Sequence, residues 1–409
     1  MAQAGPRCNA KESRSCLTMR VLFASDNYLP VRGGLVRSMC GLAGKLIECS
    51  DEAIMIVPTG SNSDAVNTWA QEVPLVRITG KVIPPISRRP LVSPISARRT
   101  MCRVFADWKP DVVHVMTPFF VGRAALATAK MLGIPSVLAV HLTPANAIAH
   151  SAVGRLIPSL PAAILANAYR SCGRIADLVA APSQTGSLYA RQILGDRSVV
   201  VISNGVSELP RHSSVISNKR GSDRLAALYV GRLSREKRLD VLLKAFGQLS
   251  SSEKLELVIV GDGPDSARLM RIASRNCAEQ VRFVGPVSDD QLAQYYQSAN
   301  IFCMPSPAEL ECVAALEALS FGLPIVAPGA GALAELAMWS GAVRQYERAD
   351  SADQLARCLR QLVSDKLSRD TLAHHALEAS RQRSISASVE KWRSVYRRLQ
   401  DHCTSEEAA

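Results

Sequence analysis

The chain has 409 residues, of which 47% are hydrophobic and 21% are charged, and its formal net charge is +12. These values are typical of a folded protein of two or three domains, and they exclude disordered and fibrous classes. No run of 18 apolar residues occurs, so we expect no membrane-spanning helix.

The first 18 residues are polar and have no apolar centre, so we expect a disordered tail rather than a secretory signal. Met19, at the first strand, is an alternative start of the chain. The eleven cysteines include no C-x-x-C pair, which favours reduced thiols in a cytoplasmic protein over a zinc site or a disulfide framework.

Apolar runs typical of buried strands alternate with helical patterns along the whole chain. The twelve runs are 20–24, 53–58, 75–78, 111–116, 136–140, 178–182, 199–202, 226–230, 255–260, 281–284, 301–304 and 324–327. This alternation predicts an α/β fold with parallel sheets covered by helices on both faces. Twelve strands exceed one doubly wound sheet, so we predict two Rossmann-like domains that face each other across a cleft.

The segment 208–224 is rich in serine and charge, and it is the predicted linker between the domains. The first domain is then 19–207 and the second is 225–385. Residues 386–409 form a final helix, because Trp392, Val395, Tyr396 and Leu399 fall on one helical face.

Gly33 and Gly34 follow the first strand and precede a helical pattern. Paired glycines let the backbone approach a ligand closely, and the amides of a helix N-terminus bind phosphate. A simple tight turn is the alternative.

Between residues 77 and 103 the chain has seven basic residues and no acidic one, interleaved with apolar side chains. This pattern favours peripheral contact with an anionic membrane over a nucleic-acid partner. A solvated basic face is the alternative.

Three further strands end in residues suited to an anionic or sugar ligand. His141 follows 136–140, where its imidazole can bond a sugar hydroxyl or a phosphate oxygen. Arg232 and Lys237 follow 226–230, where two cations can neutralise a leaving diphosphate. Val287 lies in the turn after 281–284, where backbone groups can pair with a nucleobase.

Two glutamates eight residues apart, Glu309 and Glu317, flank the start of a helix predicted from Cys312 to Leu319. Glu309 lies in the loop after a buried strand, and Glu317 lies on the second helical turn. The amides from Leu310 to Val313, which include that of Cys312, point toward any anion docked there. This arrangement can hold a sugar, a diphosphate and a ribose in that order.

These features together resemble the retaining glycosyltransferases of family 4, which have the GT-B fold. The resemblance runs from Met19 to about Leu399, and VGDGP at 260–264 and SNGV at 203–206 add to it. It implies that Glu309 contacts the donor sugar, that Glu317 holds the ribose, and that Arg232 and Lys237 bind the diphosphate. It further implies that Gly33 and Gly34 approach phosphate or acceptor, that His141 lies beside the transferred sugar, and that the final helix crosses back to the first domain.

Two positions depart from the family pattern. Glu311 and Cys312 stand where many members have Phe and Gly, so Glu311 is expected to add negative charge near the diphosphate. Arg238 replaces the usual glycine after the lysine and offers a further phosphate contact. The basic segment and the sequence PSPAELE are closer to members that glycosylate lipids.

The expected reaction moves a hexose-type sugar from a nucleotide-diphosphate donor to the hydroxyl of a small molecule, lipid or glycan, without a cofactor or metal. No D-x-D motif occurs, and the two cations can replace a divalent ion. Two alternatives stay open. Gly329 to Ala334 fits the G-x-G-x-x-A pattern of an NAD(P)-dependent oxidoreductase, and a non-catalytic nucleotide-sugar-binding protein would share the same fold.

Overall fold

The structure is a computed structural model that describes residues 18–28, 33–60, 73–83, 87–145, 159–206, 209–210, 224–250 and 253–407. Most of the predicted tail and linker, and residues 29–32 before the glycine pair, lie outside these ranges.

The first half of the chain forms a parallel sheet of seven strands in the order β3-β2-β1-β6-β7-β8-β9. Its strands are β1 (Arg20–Ala24), β2 (Glu52–Thr59), β3 (Leu75–Thr79), β6 (Val112–Val115), β7 (Ser136–Ala139), β8 (Leu178–Ala181) and β9 (Val199–Val201). Strands β4 (Lys81–Ile83) and β5 (Ser87–Leu91) form a separate antiparallel pair. The described helices of this half are α1 (Gly34–Glu48), α2 (Pro94–Trp108), α3 (Phe120–Met131), α4 (Ser159–Gly173) and α5 (Gln184–Leu194).

The second half forms a parallel sheet of six strands in the order β12-β11-β10-β13-β14-β15. Its strands are β10 (Leu225–Val230), β11 (Leu255–Val260), β12 (Val281–Gly285), β13 (Ile301–Cys303), β14 (Ile325–Pro328) and β15 (Val343–Tyr346). The helices are α6 (Leu239–Phe246), α7 (Ser266–Asn276), α8 (Asp289–Ser298), α9 (Val313–Ser320), α10 (Gly331–Ser340), α11 (Ala352–Ser364), α12 (Lys366–Gln382) and α13 (Ile385–Glu407).

Both sheets are buried on both faces, as the continuous apolar runs predict. The central strands β1, β6, β10 and β11 consist almost entirely of buried side chains because helices cover each face. Each sheet reverses its strand order once, between β1 and β6 in the first and between β10 and β13 in the second. Ligands of doubly wound sheets bind at the carboxyl ends of the strands beside such a reversal.

The predicted α/β class with two Rossmann-like domains is confirmed, and each of the twelve apolar runs overlaps a strand. The sequence missed β15 because its residues VRQY alternate with polar side chains at the edge of the sheet. It also missed the β4–β5 pair, which lies inside the basic segment. The exact domain limits stay a prediction.

The last helix, α13, packs against the first domain. Trp392, Val395 and Tyr396 are buried in one apolar cluster with residues of β1, β2 and α1. The Tyr396 hydroxyl lies 2.6 Å from Nδ1 of His114, and the Trp392 ring centroid lies 4.5 Å from that of the same imidazole.

The chain also joins the domains through two neighbouring backbone segments. The Val206 amide donates to the Arg383 carbonyl at 2.9 Å, and the Ile385 amide donates to the Val206 carbonyl at 3.0 Å. Gly205 has a φ of 72°, and a Cβ placed there would lie 2.7 Å from the Ile385 Cα atom. Only glycine allows the two segments to approach this closely.

Candidate functional site

A cleft of about 870 Å³ lies between the carboxyl ends of the two sheets and is lined by residues of both domains. All eleven residues that the sequence singled out as site residues line it. They are Gly33, Gly34, His141, Arg232, Lys237, Val287, Glu309, Leu310, Cys312, Val313 and Glu317. Residues far apart in the chain therefore meet at one site.

On the first domain's side, the glycine pair begins α1. A Cβ added at Gly34 would lie 3.4 Å from Cγ2 of Val313, the first residue of α9. The amino ends of two helices, one from each domain, therefore approach each other across the cleft. The backbone amides at these two helix starts together form a region that favours an anion.

His141 follows β7, and its backbone amide donates to the Tyr169 hydroxyl at 3.2 Å. Burial lowers the pKa of His141 to about 4. The imidazole is therefore neutral near pH 7, and it can both donate and accept hydrogen bonds at the cleft.

On the second domain's side, the loop after β10 carries two cations paired with carboxylates. Arg232 Nη2 lies 3.3 Å from Glu236 Oε1, and Lys237 Nζ lies 2.6 Å from Glu309 Oε1. Burial lowers the pKa of Arg232, and Glu236 partly offsets this. Burial opposes the charge on Lys237, but Glu309, with smaller contributions from Cys312 and Glu236, raises the pKa of the lysine overall.

Arg238 takes no part in the cleft lining. Its φ of 53° lies in the left-handed region, which favours glycine. This backbone conformation explains why glycine usually follows the lysine in the family. The Arg238 Nε lies 3.7 Å from Oδ1 of Asp240. The additional phosphate contact expected of Arg238 stays a prediction.

Glu317 is almost fully buried on α9, and both of its carboxylate oxygens have neighbours. The Tyr296 hydroxyl donates to Oε2 at 2.8 Å, and Arg37 Nε lies 2.6 Å from Oε1. Burial raises the pKa of Glu317, while Arg37 opposes that shift. The observed helix begins at Val313 rather than at Cys312, which is its N-cap residue.

Glu311 faces a different set of partners from the one expected. The Ser203 hydroxyl donates to Oε1 at 2.6 Å, and the Asn204 amide donates to Oε2 at 2.8 Å. Its carboxylate therefore binds the end of the first domain, and the residue also lines the cleft. Burial raises the pKa of Glu311 to about 7, against the lowering effect of these two hydrogen bonds.

The glycine-rich segment from Gly329 to Ala334 has a packing role. Gly331 has a φ of 55°, and a Cβ there would lie 2.9 Å from the Pro307 carbonyl oxygen. The Ala332 amide donates to the Glu309 carbonyl at 3.3 Å. This segment supports the loop that carries Glu309, which explains its glycines without a dinucleotide.

Sequence reasoning missed Arg37 and Tyr296, which contact Glu317, and Asp289, which contacts Arg37. Arg37 lies on the first turn of α1, three residues after Gly34, and this proximity was a usable signal. Asp289 follows Ser288, whose side chain caps α8 in a capping box with Gln291. Nothing local in the sequence indicated that Asp289 contacts the first domain.

Two Rossmann-like domains that face across a cleft, with cations, carboxylates and helix amino ends gathered there, define the GT-B class of glycosyltransferase. The family models agree with this class. Residues 32–208 match the model "Glycosyltransferase Family 4", and residues 213–382 match "Glycosyl transferases group 1".

Curated relatives cover most of the chain. It is 31% identical over 319 residues to a GDP-mannose-dependent alpha-mannosyltransferase of Mycobacterium tuberculosis, covering 76% of this chain and 80% of that protein. It is 28% identical over 324 residues to an alpha-monoglucosyldiacylglycerol synthase of Acholeplasma laidlawii, covering 75% and 80% respectively. The chain belongs to the family 4 glycosyltransferases.

A solved structure supports the fold. HepE of Anabaena, in complex with UDP-glucose, superposes with a TM-score of 0.72 at 19% identity, covering 92% of this chain and 100% of that one. Across the described residues, no group of three or more His, Cys, Asp and Glu side chains is arranged to hold a metal ion. Of the helices in the described ranges, none has an apolar stretch able to bridge a bilayer.

Proposed function

We propose that this nucleotide-sugar-dependent glycosyltransferase moves a hexose to a hydroxyl acceptor with retention of anomeric configuration and without a metal. The observation that carries the proposal is the convergence of Arg232, Lys237, Glu309 and Glu317 on one cleft at the amino end of α9. That arrangement suits a donor laid along the second domain, with its sugar toward the first.

In this proposal the diphosphate lies between the loop after β10 and the start of α9. As the glycosidic bond breaks, negative charge grows on the departing diphosphate. Arg232 and Lys237, together with the amides that begin α9, stabilise this charge in a site partly closed to water. These preorganised groups serve where other enzymes use a divalent ion.

The donor's two ends have separate partners in the proposal. Glu309 accepts hydrogen bonds from sugar hydroxyls, and neutral His141 approaches the same sugar from the first domain. Glu317 accepts hydrogen bonds from the ribose, and backbone groups at Val287 adjoin the base. The Gly33–Gly34 backbone leaves room for phosphate or acceptor. Retention of configuration is proposed on the family resemblance.

Helix α2 supports a lipid acceptor at a membrane surface. Its exposed side carries Ile95, Arg98, Arg99 and Arg103, and no acidic residue lies between Pro94 and Ala106. Basic groups beside an exposed apolar side chain suit an anionic bilayer. The relative from Acholeplasma laidlawii is a glucosyldiacylglycerol synthase by name. We therefore propose peripheral contact at the cytoplasmic face of a membrane.

The deciding experiment is a release assay with the purified protein and a panel of UDP-, GDP- and ADP-sugars, with and without a chelator. We expect free nucleoside diphosphate from one donor, undiminished by the chelator, with faster release when diacylglycerol vesicles are present. Donor binding without release of nucleoside diphosphate, whatever the acceptor, would identify the chain as a non-catalytic nucleotide-sugar-binding protein. Loss of release with the chelator would overturn metal independence.

A further inference from the structure

Arg37 is the described side chain of the first domain that reaches the buried glutamate of α9. Its Nε lies 2.6 Å from Glu317 Oε1, and its Nη1 lies 3.0 Å from Asp289 Oδ1. The Arg37 side chain is 15% exposed and that of Glu317 is 4% exposed. One cation from the first domain is thus held between two carboxylates of the second.

This contact occupies the position that the proposed donor needs. Arg37, Asp289 and Glu317 all line the cleft. The other oxygen of Glu317 already accepts the Tyr296 hydroxyl at 2.8 Å. A ribose hydroxyl that bonds Oε1 of Glu317 would therefore compete with Arg37 for that oxygen.

The energetic consequence follows from burial. An ion pair with little exposure is screened by salt less than a surface pair is. Both partners lost hydration on burial, and both recover it only if they are released together. Because this pair joins the two domains, it holds them together on the ribose side of the cleft. The remaining interdomain hydrogen bonds use other residues, such as Glu335, which accepts from the Gln184 and Thr185 amides.

We infer that Arg37 is a donor-displaced latch: a positioning residue that keeps the domains together by filling the ribose side of Glu317, and that nucleotide binding must dislodge. The inference rests on the proposed ribose role of Glu317. Breaking the pair opposes donor binding, so the latch lowers donor affinity and links occupancy of the cleft to domain movement.

Calorimetric titration with UDP and GDP tests the latch directly. We compare the wild type with Arg37→Met and with the matched control Arg20→Met, which removes an arginine paired to Glu52 inside the first domain. Arg37→Met should bind the preferred nucleotide about tenfold tighter, because Glu317 then has no guanidinium to give up. Arg20→Met should bind as the wild type does. Equal or weaker binding by Arg37→Met overturns the latch and makes Arg37 a ligand of the nucleotide.

Small-angle scattering without nucleotide supplies a second readout that does not depend on activity. Arg37→Met should show a larger radius of gyration than the wild type and Arg20→Met, and a radius unchanged by the substitution contradicts the latch. If the wild type binds neither UDP nor GDP, ADP is titrated in the same way, and failure with all three makes the proposed donor class wrong. The scattering comparison still decides whether Arg37 holds the domains together.

A milder variant covers the case in which Arg37→Met does not fold. Asp289→Asn removes one of the two charges that hold Arg37 while Glu317 stays intact. It should tighten nucleotide binding by about twofold to threefold and lower the donor KM with little change in kcat. A raised donor KM in this variant would count against the latch.

Discussion

Lys237 and Glu309 lie 72 residues apart in the chain, yet Nζ of the lysine is 2.6 Å from Oε1 of the glutamate. Burial alone would lower the pKa of Lys237, but the carboxylate raises it. The contact keeps Lys237 protonated in a largely desolvated cleft. It is the contact on which the proposed chemistry most depends.

Removing this cation should slow the chemical step. Lys237→Ala and Arg232→Ala should each lower kcat by about 10²–10³, or about 2.7–4 kcal/mol, with a smaller effect on donor binding. The steady-state rate of nucleoside diphosphate release at saturating donor measures kcat. Lys244→Ala is the matched control, because Lys244 is exposed on α6. An unchanged kcat in Lys237→Ala would remove the lysine from the leaving-group site.

The lysine and glutamate should also prove to be coupled. If they act as one unit, Lys237→Ala and Glu309→Gln should cost less in combination than the sum of their separate effects on kcat/KM. A double-mutant cycle measured on the preferred donor gives the coupling energy. Strict additivity would show that the short distance has no catalytic consequence.

Glu317→Ala should weaken nucleotide binding, because it removes the proposed acceptor for the ribose hydroxyls. We expect about a tenfold loss, which corresponds to one hydrogen bond to a charged group. Calorimetry with the preferred nucleoside diphosphate measures it, and Glu279→Ala, an exposed glutamate, is the control. Undiminished affinity in Glu317→Ala would exclude the ribose role.

Glu311 should make stability fall as pH rises. Its pKa is raised from 4.5 to about 7, so between these values the folded protein holds a proton that the unfolded chain has released. The free energy of unfolding contributed by this group is therefore largest below about pH 4.5, decreases as pH rises to about 7, and is then constant. The slope is at most about 1.4 kcal/mol per pH unit.

Glu311→Gln isolates this effect, because glutamine keeps the shape but cannot ionise. Its carbonyl oxygen can accept from the Asn204 amide, and its NH2 group can donate to the Ser203 hydroxyl. Urea unfolding at pH 5 and at pH 8 should show the wild type losing more stability than Glu311→Gln over that interval. Glu317, whose pKa is also raised, is present in both proteins and cancels in the comparison. Parallel losses in the two proteins would show that Glu311 is already ionised at pH 5.

Binding to anionic vesicles should depend on the basic segment. Replacing Arg88, Arg89, Arg98 and Arg99 with glutamine should abolish co-sedimentation, and added salt should weaken binding of the wild type. A control of equal charge replaces Arg271, Arg275, Arg397 and Arg398, which are exposed elsewhere. Equal pelleting by both variants would rule out a role for the segment.

The sequence predicted the fold well because buried parallel strands leave a local signal. Runs such as LELVIV at β11 are apolar throughout, whereas β15 at the edge of its sheet is not. Residues at the carboxyl ends of strands were also predictable, since parallel topology gathers those ends at one edge. Glu309 and Lys237 follow this rule.

The contacts between the domains could not be read from the sequence. Arg37 reaches Glu317 across 280 positions, and Glu311 reaches Ser203 across 108. Neither contact leaves a local pattern, because each depends on how two separately folded domains face each other. The contact of Glu311 with the first domain was therefore missed, and its expected negative charge near the diphosphate stays a prediction.

The paired segments at Val206 and at Arg383 to Ile385 have a mechanical consequence. Two adjacent passages of backbone, joined by hydrogen bonds of 2.9 and 3.0 Å, define a line about which one domain can turn relative to the other. Sliding or full separation of the domains would break these bonds and remove Trp392 from the apolar cluster in which it is buried. Rotation about this line can leave both bonds and the packing of Trp392 intact, so the paired segments can act as a hinge when the width of the cleft changes.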